Sequence, residues 1–207
     1  MGQPEQQRGI IQITGSDRVS FLQNLITNET SAIGLHYAAL LNPQGKYIAD
    51  FFVLVRQNDI LVDVAKVLQS ALASRLTMYR LRADVKIEMI ECDVSCGLGL
   101  IPETAFMDPR STALGWRMYG TTSSDFIDWQ ALRVEHIIPE TGIELGPDKF
   151  LLEMDFERLN GVNFQKGCYV GQEIVARMKH KAVLRKGLKP IKISGSATPG
   201  SPILAHG

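Results

Sequence analysis

The chain of 207 residues is 45% hydrophobic and 21% charged, with Lys+Arg 22 balancing Asp+Glu 22. This composition excludes intrinsic disorder, which needs low hydrophobicity with high net charge, and leaves no global field drawing the protein to nucleic acid or membrane. No apolar run approaches the ~20 residues that span a bilayer, residues 1–8 lack the apolar core of a secretory signal, and three cysteines make no disulfide framework, so a reducing, cytoplasmic setting is expected.

Residues 10–13 read as a short strand. Thr14 and Asp17 follow in capping-box spacing, and Val19, Leu22, Leu25 and Ile26 recur at helical intervals, which predicts a helix over 17–28. Residues 36–41 are extended and apolar. Asn42-Pro43-Gln44-Gly45 has the residue types of a tight turn. Strands over 46–56 and 60–64, separated by a turn at 57–59, complete an antiparallel meander. Val67, Leu68, Ala71, Leu72, Leu76 and Tyr79 form one helical stripe. Val85, Ile87 and Met89 alternate with charged residues as a half-buried strand does. A meander mixed with single helices predicts an α+β fold. Residues 92–112 read as irregular and 114–119 as a strand. Ser123 or Ser124 can cap a helix from Asp125 to His136, stopped by Pro139. A last helix over 169–178 and a strand over 184–193 complete the reading.

The charge balance hides an asymmetry. Lys166, Arg177, Lys179, Lys181, Arg185, Lys186, Lys189 and Lys192 are opposed within that block only by Glu173, a local net of +7 against −7 for the remainder. Such a block can bind phosphate, polycarboxylate or nucleic acid, or serve as a solvated face. Only Tyr169 supplies an aromatic platform for bases within it.

Lys166-Gly167-Cys168-Tyr169-Val170-Gly171-Gln172-Glu173 carries the most information. Gly167 permits positive φ or close backbone approach. A helix beginning near Val170 would place Cys168 at its positive end, where that end and Lys166 both favour the thiolate. The alternative is a buried cysteine in a tight turn. Cys92 and Cys96, spaced C-x3-C, have no companion ligands for a closed zinc site or a cubane cluster and read as small core residues. No metal site is expected.

Residues 166–180, Lys-Gly-Cys-Tyr-Val-Gly-Gln-Glu-Ile-Val-Ala-Arg-Met-Lys-His, resemble the signature of the YgfZ family. These are folate-binding relatives of the aminomethyltransferase, or T-protein, of the glycine cleavage system. Stretches at 13–28, 38–45, 79–84, 108–110 and 114–117 agree in the same order. The resemblance implies an aminomethyltransferase-like α+β body of antiparallel sheets with flanking helices over 1–182, with a possible subdomain break near 92–112. Residues 183–207 would begin an incomplete C-terminal β-barrel. It implies tetrahydrofolate as cofactor. It implies an accessory role in assembly or maintenance of 4Fe–4S proteins, including radical tRNA-modification enzymes, with iron–sulfur enzymes or cluster assembly proteins as partners and neither membrane nor nucleic acid.

The same resemblance makes Cys168 and Lys166 the central pair, with Gly167, Tyr169, Gly171, Gln172 and Glu173 completing the motif. It assigns Arg133, Glu135, Asp50 and Asn28 to folate, since Leu132-Arg133-Val134-Glu135 is similar to a folate-contacting stretch of the T-protein. Ala49 stands where the T-protein has the first of two adjacent aspartates, which disfavours aminomethyl transfer. That activity and a basic RNA- or protein-binding module are the alternatives to the accessory role.

Overall fold

The computed structural model describes residues 2–4, 7–120, 127–181, 183–198 and 200–202. Its central five-stranded antiparallel sheet has the order β3-β4-β5-β2-β6, from β2 (Arg8–Thr14), β3 (Gly34–Leu41), β4 (Tyr47–Val55), β5 (Ile60–Ala65) and β6 (Lys86–Ile90). A smaller sheet has the order β1-β7-β9-β8, from β1 (Gly2–Pro4), β7 (Val94–Gly97), β8 (Phe106–Met107) and β9 (Trp116–Tyr119). Helices are α1 (Arg18–Gln23), α2 (Lys66–Tyr79), α3 (Trp129–Glu135) and α4 (Gln172–Lys181). The expected α+β class holds.

Both faces of the central sheet are covered, which is why β4 reads Tyr-Ile-Ala-Asp-Phe-Phe-Val-Leu-Val rather than alternating. Ala49, Phe51, Val53 and Val55 pack with Ile11, Ile13, Leu72 and Leu76 on the face under α1 and α2. Tyr47 and Phe52 face the opposite way, against Leu114, Ile138 and the 151–162 segment. Leu54 meets Ile10, Leu61, Val94 and Cys96, so an apolar cluster joins the two sheets. Cys96 is buried and Cys92 packs on that cluster, as core residues.

Four local expectations are corrected. The first helix ends at Gln23 rather than 28. Beyond it Ile26 bridges Leu40, and Thr27 exchanges two hydrogen bonds with Ala39, so the chain turns to follow β3. The interval 92–112 holds β7 and β8, short strands whose pairing is non-local. The last helix starts three residues later than expected, at Gln172. Residues 184–193 form no strand; none of the described strands lies beside them to complete a ladder. The third helix is capped by Asp128, whose Oδ1 accepts from Ala131 N. Ser123, Ser124 and Asp125 lie outside the described residues. No helix among the described residues is long and apolar enough to cross a membrane.

Candidate functional site

A cavity of about 510 Å³ opens beside β4, the smaller sheet and α3, within the 300–1,000 Å³ range of small-molecule sites. Asp50, Arg110, Arg117 and Arg133 are in its wall, with Trp129 and Thr141. Strand alternation decides what β4 contributes. Ala49 points into the helix-covered core, so no side chain at 49 reaches the cavity, while Asp50 one residue on faces it.

Asp50 is held by three hydroxyls. Tyr37 Oη donates to Oδ2 at 2.9 Å, Tyr47 Oη to Oδ1 at 2.7 Å and Thr141 Oγ1 to Oδ1 at 2.8 Å. Burial, then the neighbouring Asp50 charge, pushes both tyrosines well above their ordinary value, so they remain donors at neutral pH. Each carboxylate oxygen can accept two hydrogen bonds, which leaves acceptor capacity on Oδ2.

The floor is an arginine cluster on one aromatic ring. The guanidinium carbons of Arg117 and Arg110 lie 4.0 and 4.6 Å from the Phe52 centroid. Fully buried Asp63 accepts from Arg8 Nε at 2.6 Å, Arg117 Nη1 at 3.0 Å and Tyr119 Oη at 3.0 Å. Asp108 takes Arg110 bidentately, at 3.0 and 2.7 Å. Burial disfavours the Arg110 cation, but the Asp108 charge and hydrogen bonds more than offset it and hold its pKa above the usual value. Arg133, on α3, contacts Glu140 through Nε at 2.8 Å and Glu144 through Nη1 at 3.1 Å. Its Nη2 takes no partner among the described residues. The wall thus offers a carboxylate on β4 and a guanidinium donor on α3, in a setting richer in cations than in acids.

The other expected residues lie elsewhere. Asn28 donates to Tyr37 O at 2.8 Å and Asn160 O at 2.6 Å, tying two chain segments together outside the cavity wall. Glu135 is on the exposed side of α3, because the two residues from Arg133 to Glu135 turn the side chain by about 200°. Arg8, Arg110 and Arg117 were not singled out as site residues. Their partners Asp63 and Asp108 are remote or unremarkable in sequence, and only the sheet packing unites them.

The cysteine motif forms a second region, and none of its residues lines the cavity. Cys168 is exposed, against the buried alternative, and it precedes α4 by four residues rather than sitting at its first turn. Lys166 is buried, and its Nζ donates to the carbonyls of Gln23, the last residue of α1, and Ile26 beyond it, at 2.6 and 2.8 Å. That desolvation lowers its pKa to about 8, against the opposing pull of Glu29 and Cys168. Tyr169 is buried beneath it, 4.8 Å from Nζ to the ring centroid. Gly171 has φ +84°, and a Cβ there would meet Asn42 O at 2.8 Å and Gly45 Cα at 3.1 Å, so α4 docks onto the β3–β4 turn through a glycine contact. Gly167 needs neither licence expected of it: its φ is not in the positive region and a Cβ would enter open space. Gln172 is half-buried at the helix start, and Glu173 is exposed and pairs with Arg177 at 2.8 Å. No group of three or more His, Cys, Asp or Glu among the described residues could hold a metal ion.

These features define a two-sheet α+β protein with an arginine-rich cavity and, outside its wall, an exposed thiol. The fold is that of the glycine cleavage system aminomethyltransferase T from Bartonella henselae, with TM-score 0.68 at 14% identity, covering 86% of this chain and 62% of that one. No family model matches the chain. Its curated relatives include the iron–sulfur cluster assembly factor IBA57, mitochondrial, from Homo sapiens, 29% identical with 95% of this chain and 69% of that protein covered. The Mus musculus protein of the same name is 30% identical, with 91% and 65% covered. The Mycosarcoma maydis homologue is 28% identical, with 93% and 57% covered. The chain is therefore homologous to iron–sulfur cluster assembly factors, and it spans about 57–69% of the length of these three. The cytoplasmic setting expected from composition and cysteine usage is overturned, because these relatives are mitochondrial proteins.

Proposed function

We propose that this protein is an accessory factor for iron–sulfur protein assembly that binds tetrahydrofolate in the arginine-rich cavity and presents Cys168 to its partners. The observation that carries the folate part is the pairing of Asp50 and Arg133 in one cavity wall. A reduced pterin offers N–H donors, which suit the acceptor capacity of Asp50, and its glutamate carboxylate suits the Nη2 of Arg133. Trp129 adds apolar wall for the ring. Tetrahydrofolate would supply one-carbon chemistry when bound; the chain's own residues bind and orient it.

The assembly role rests on the homologues and on the exposure of Cys168. One thiolate is too few to hold a cluster unaided, so Cys168 contributes one ligand to a cluster that a partner assembly protein completes. Cluster-dependent tRNA-modification enzymes fall within the expected clients. The mitochondrial location named for the relatives supports a mitochondrial setting for this role.

Anaerobic calorimetric titration with tetrahydrofolate tests the cavity. Saturable binding that is weakened in Arg133→Ala is expected, and absence of binding to the native protein refutes the folate reading. A second reading, aminomethyl transfer, is favoured by Asp50, which puts a carboxylate into the cavity that Ala49 does not supply. Turnover with an aminomethyl-lipoyl carrier, lost in Asp50→Asn, would establish it.

A further inference from the structure

Helix α2 ends in a strained turn, Met78-Tyr79-Arg80-Leu81-Arg82-Ala83. Leu81 follows the C-cap Arg80 with φ +46°, in the left-handed region where helices usually place glycine. A leucine there is strained by its own Cβ, and packing does not offset the strain, because Leu81 is 88% exposed. On either side of it Tyr79 and Ala83 pack inward on the core beneath α2, and Val85 is buried there. Asp84 pins the turn to the start of α1. Its Oδ2 accepts from Ser16 N at 3.2 Å and Ser16 Oγ at 2.7 Å, and its N donates to Asp17 Oδ2 at 2.8 Å. Backbone strain held in place on a surface points to an interaction.

The neighbouring side chains say what covers it. Met78 is 66% exposed. Arg80 and Arg82 flank Leu81 and are exposed, and Arg75 lies three residues before Met78, on the same face of α2. None of these three guanidinium groups takes a hydrogen bond or ion-pair partner among the described residues. The nearby carboxylates are committed, Asp84 to Ser16 and Glu88 to Lys86 at 2.9 Å. The helix dipole accounts for a cation at this end; it does not account for three beside two exposed apolar side chains.

We propose that Met78 and Leu81, with Arg75, Arg80 and Arg82, form a docking surface for an acidic segment of a partner protein, one that presents an apolar side chain among Asp or Glu residues. Charge complementarity selects this occupant. A second copy pairing through the same patch would bring like charges together. RNA needs an exposed aromatic platform, and Tyr79 packs into the core. An anionic membrane takes up a broad apolar helix face, whereas this end of α2 exposes two apolar side chains. None of the five residues lines the cavity, so the surface holds whatever ligand the cavity takes.

The experiment measures fluorescence anisotropy of labelled octapeptides with a central Leu-Leu among Asp and Glu, against counterparts carrying Asn and Gln instead. The proteins are the native chain, Leu81→Gly and Arg80→Gln/Arg82→Gln. Saturable binding of the acidic peptides alone is expected. It should weaken at least about tenfold in Leu81→Gly, which removes the apolar anchor. In the arginine variant it should weaken about two- to tenfold at low salt, since exposed ion pairs are individually weak. Glycine suits the left-handed backbone, so the melting temperature of Leu81→Gly should not fall, and lost binding with an intact fold supports the proposal. A lowered melting temperature in Leu81→Gly assigns the leucine to the fold and overturns it. So does failure of the acidic peptides to bind, or binding that both variants leave unchanged. Tighter binding of oligouridylate or of phosphatidylserine vesicles than of the peptides overturns it in favour of RNA or membrane.

Discussion

Burial of Lys166 makes a pH-dependent contribution to stability whose sign is fixed. In the folded protein its pKa is about 8 against an ordinary 10.5, chiefly from desolvation. At 1.36 kcal/mol per pH unit this gap corresponds to about 3 kcal/mol. Below pH 8 both folded and unfolded chains hold the proton, and the folded state carries the full desolvation penalty. Between pH 8 and 10.5 the folded protein has lost a proton that the unfolded chain still holds, so stability rises with pH through that window. Lys166→Met removes the titration while filling similar space with a flexible apolar side chain. It also removes two hydrogen bonds to the Gln23 and Ile26 carbonyls, which shifts the level of stability but not its slope. The tyrosines with raised pKa, Tyr37, Tyr47, Tyr119 and Tyr169, are common to both proteins and cancel in the difference. Urea unfolding followed by fluorescence of Trp116 and Trp129 at pH 7.5 to 10.5 measures it. The stability of native protein minus variant should increase by about 3 kcal/mol across the range; a flat or falling difference refutes the buried-ammonium assignment.

Arg133→Ala should weaken tetrahydrofolate binding by about 1.5–3 kcal/mol, the range for hydrogen bonds to charged groups; an unchanged Kd in calorimetry removes Arg133 from the site. Asp63→Ala leaves Arg8 and Arg117 without their buried counter-charge, and should destabilise by about 3–5 kcal/mol in denaturant titration. Gly171→Ala must adopt a left-handed backbone and intrude on Asn42 O, so a loss of at least about 1–2 kcal/mol is expected, whereas Gly167→Ala should unfold like the native protein. Cys168→Ser should leave the melting temperature unchanged, since the thiol is exposed, but should abolish capture of a shared cluster with a partner assembly protein, read by visible absorbance.

The parts of the fold that were legible are those whose signal is local. The turn at 42–45, with Gly45 N donating to Asn42 O and Gly45 at φ +72°, follows from its residue types, and α2 from its apolar stripe. Strands β7 and β8 were not legible, because four- and two-residue strands stand only through partners distant in sequence. The first helix was overextended because Leu25 and Ile26 keep helical spacing while serving the β3 edge. The site divides the same way. Asp50, Arg133 and Cys168 lay in stretches that resemble a known family. The arginine floor did not stand out, since a surface arginine and one stacked on Phe52 read alike in sequence.

The placement of Cys168 outside the cavity wall constrains mechanism. A ligand held by Asp50 and Arg133 does not meet the thiol directly, so dependence of one on the other has to pass through the protein. One route is physically continuous. Tyr37 and Tyr47, which hold Asp50, belong to the same apolar cluster as Tyr169, next to Cys168, and Val175 of α4. The β3–β4 turn, which leads into β4, touches α4 through Gly45 and Gly171. Packed contacts, rather than shared chemistry, are thus what connects the Asp50 end of β4 to the motif. Any such coupling is reciprocal: a ligand in the cavity that stabilises one arrangement of the Cys168 loop must itself bind more tightly when a partner holds that loop in place.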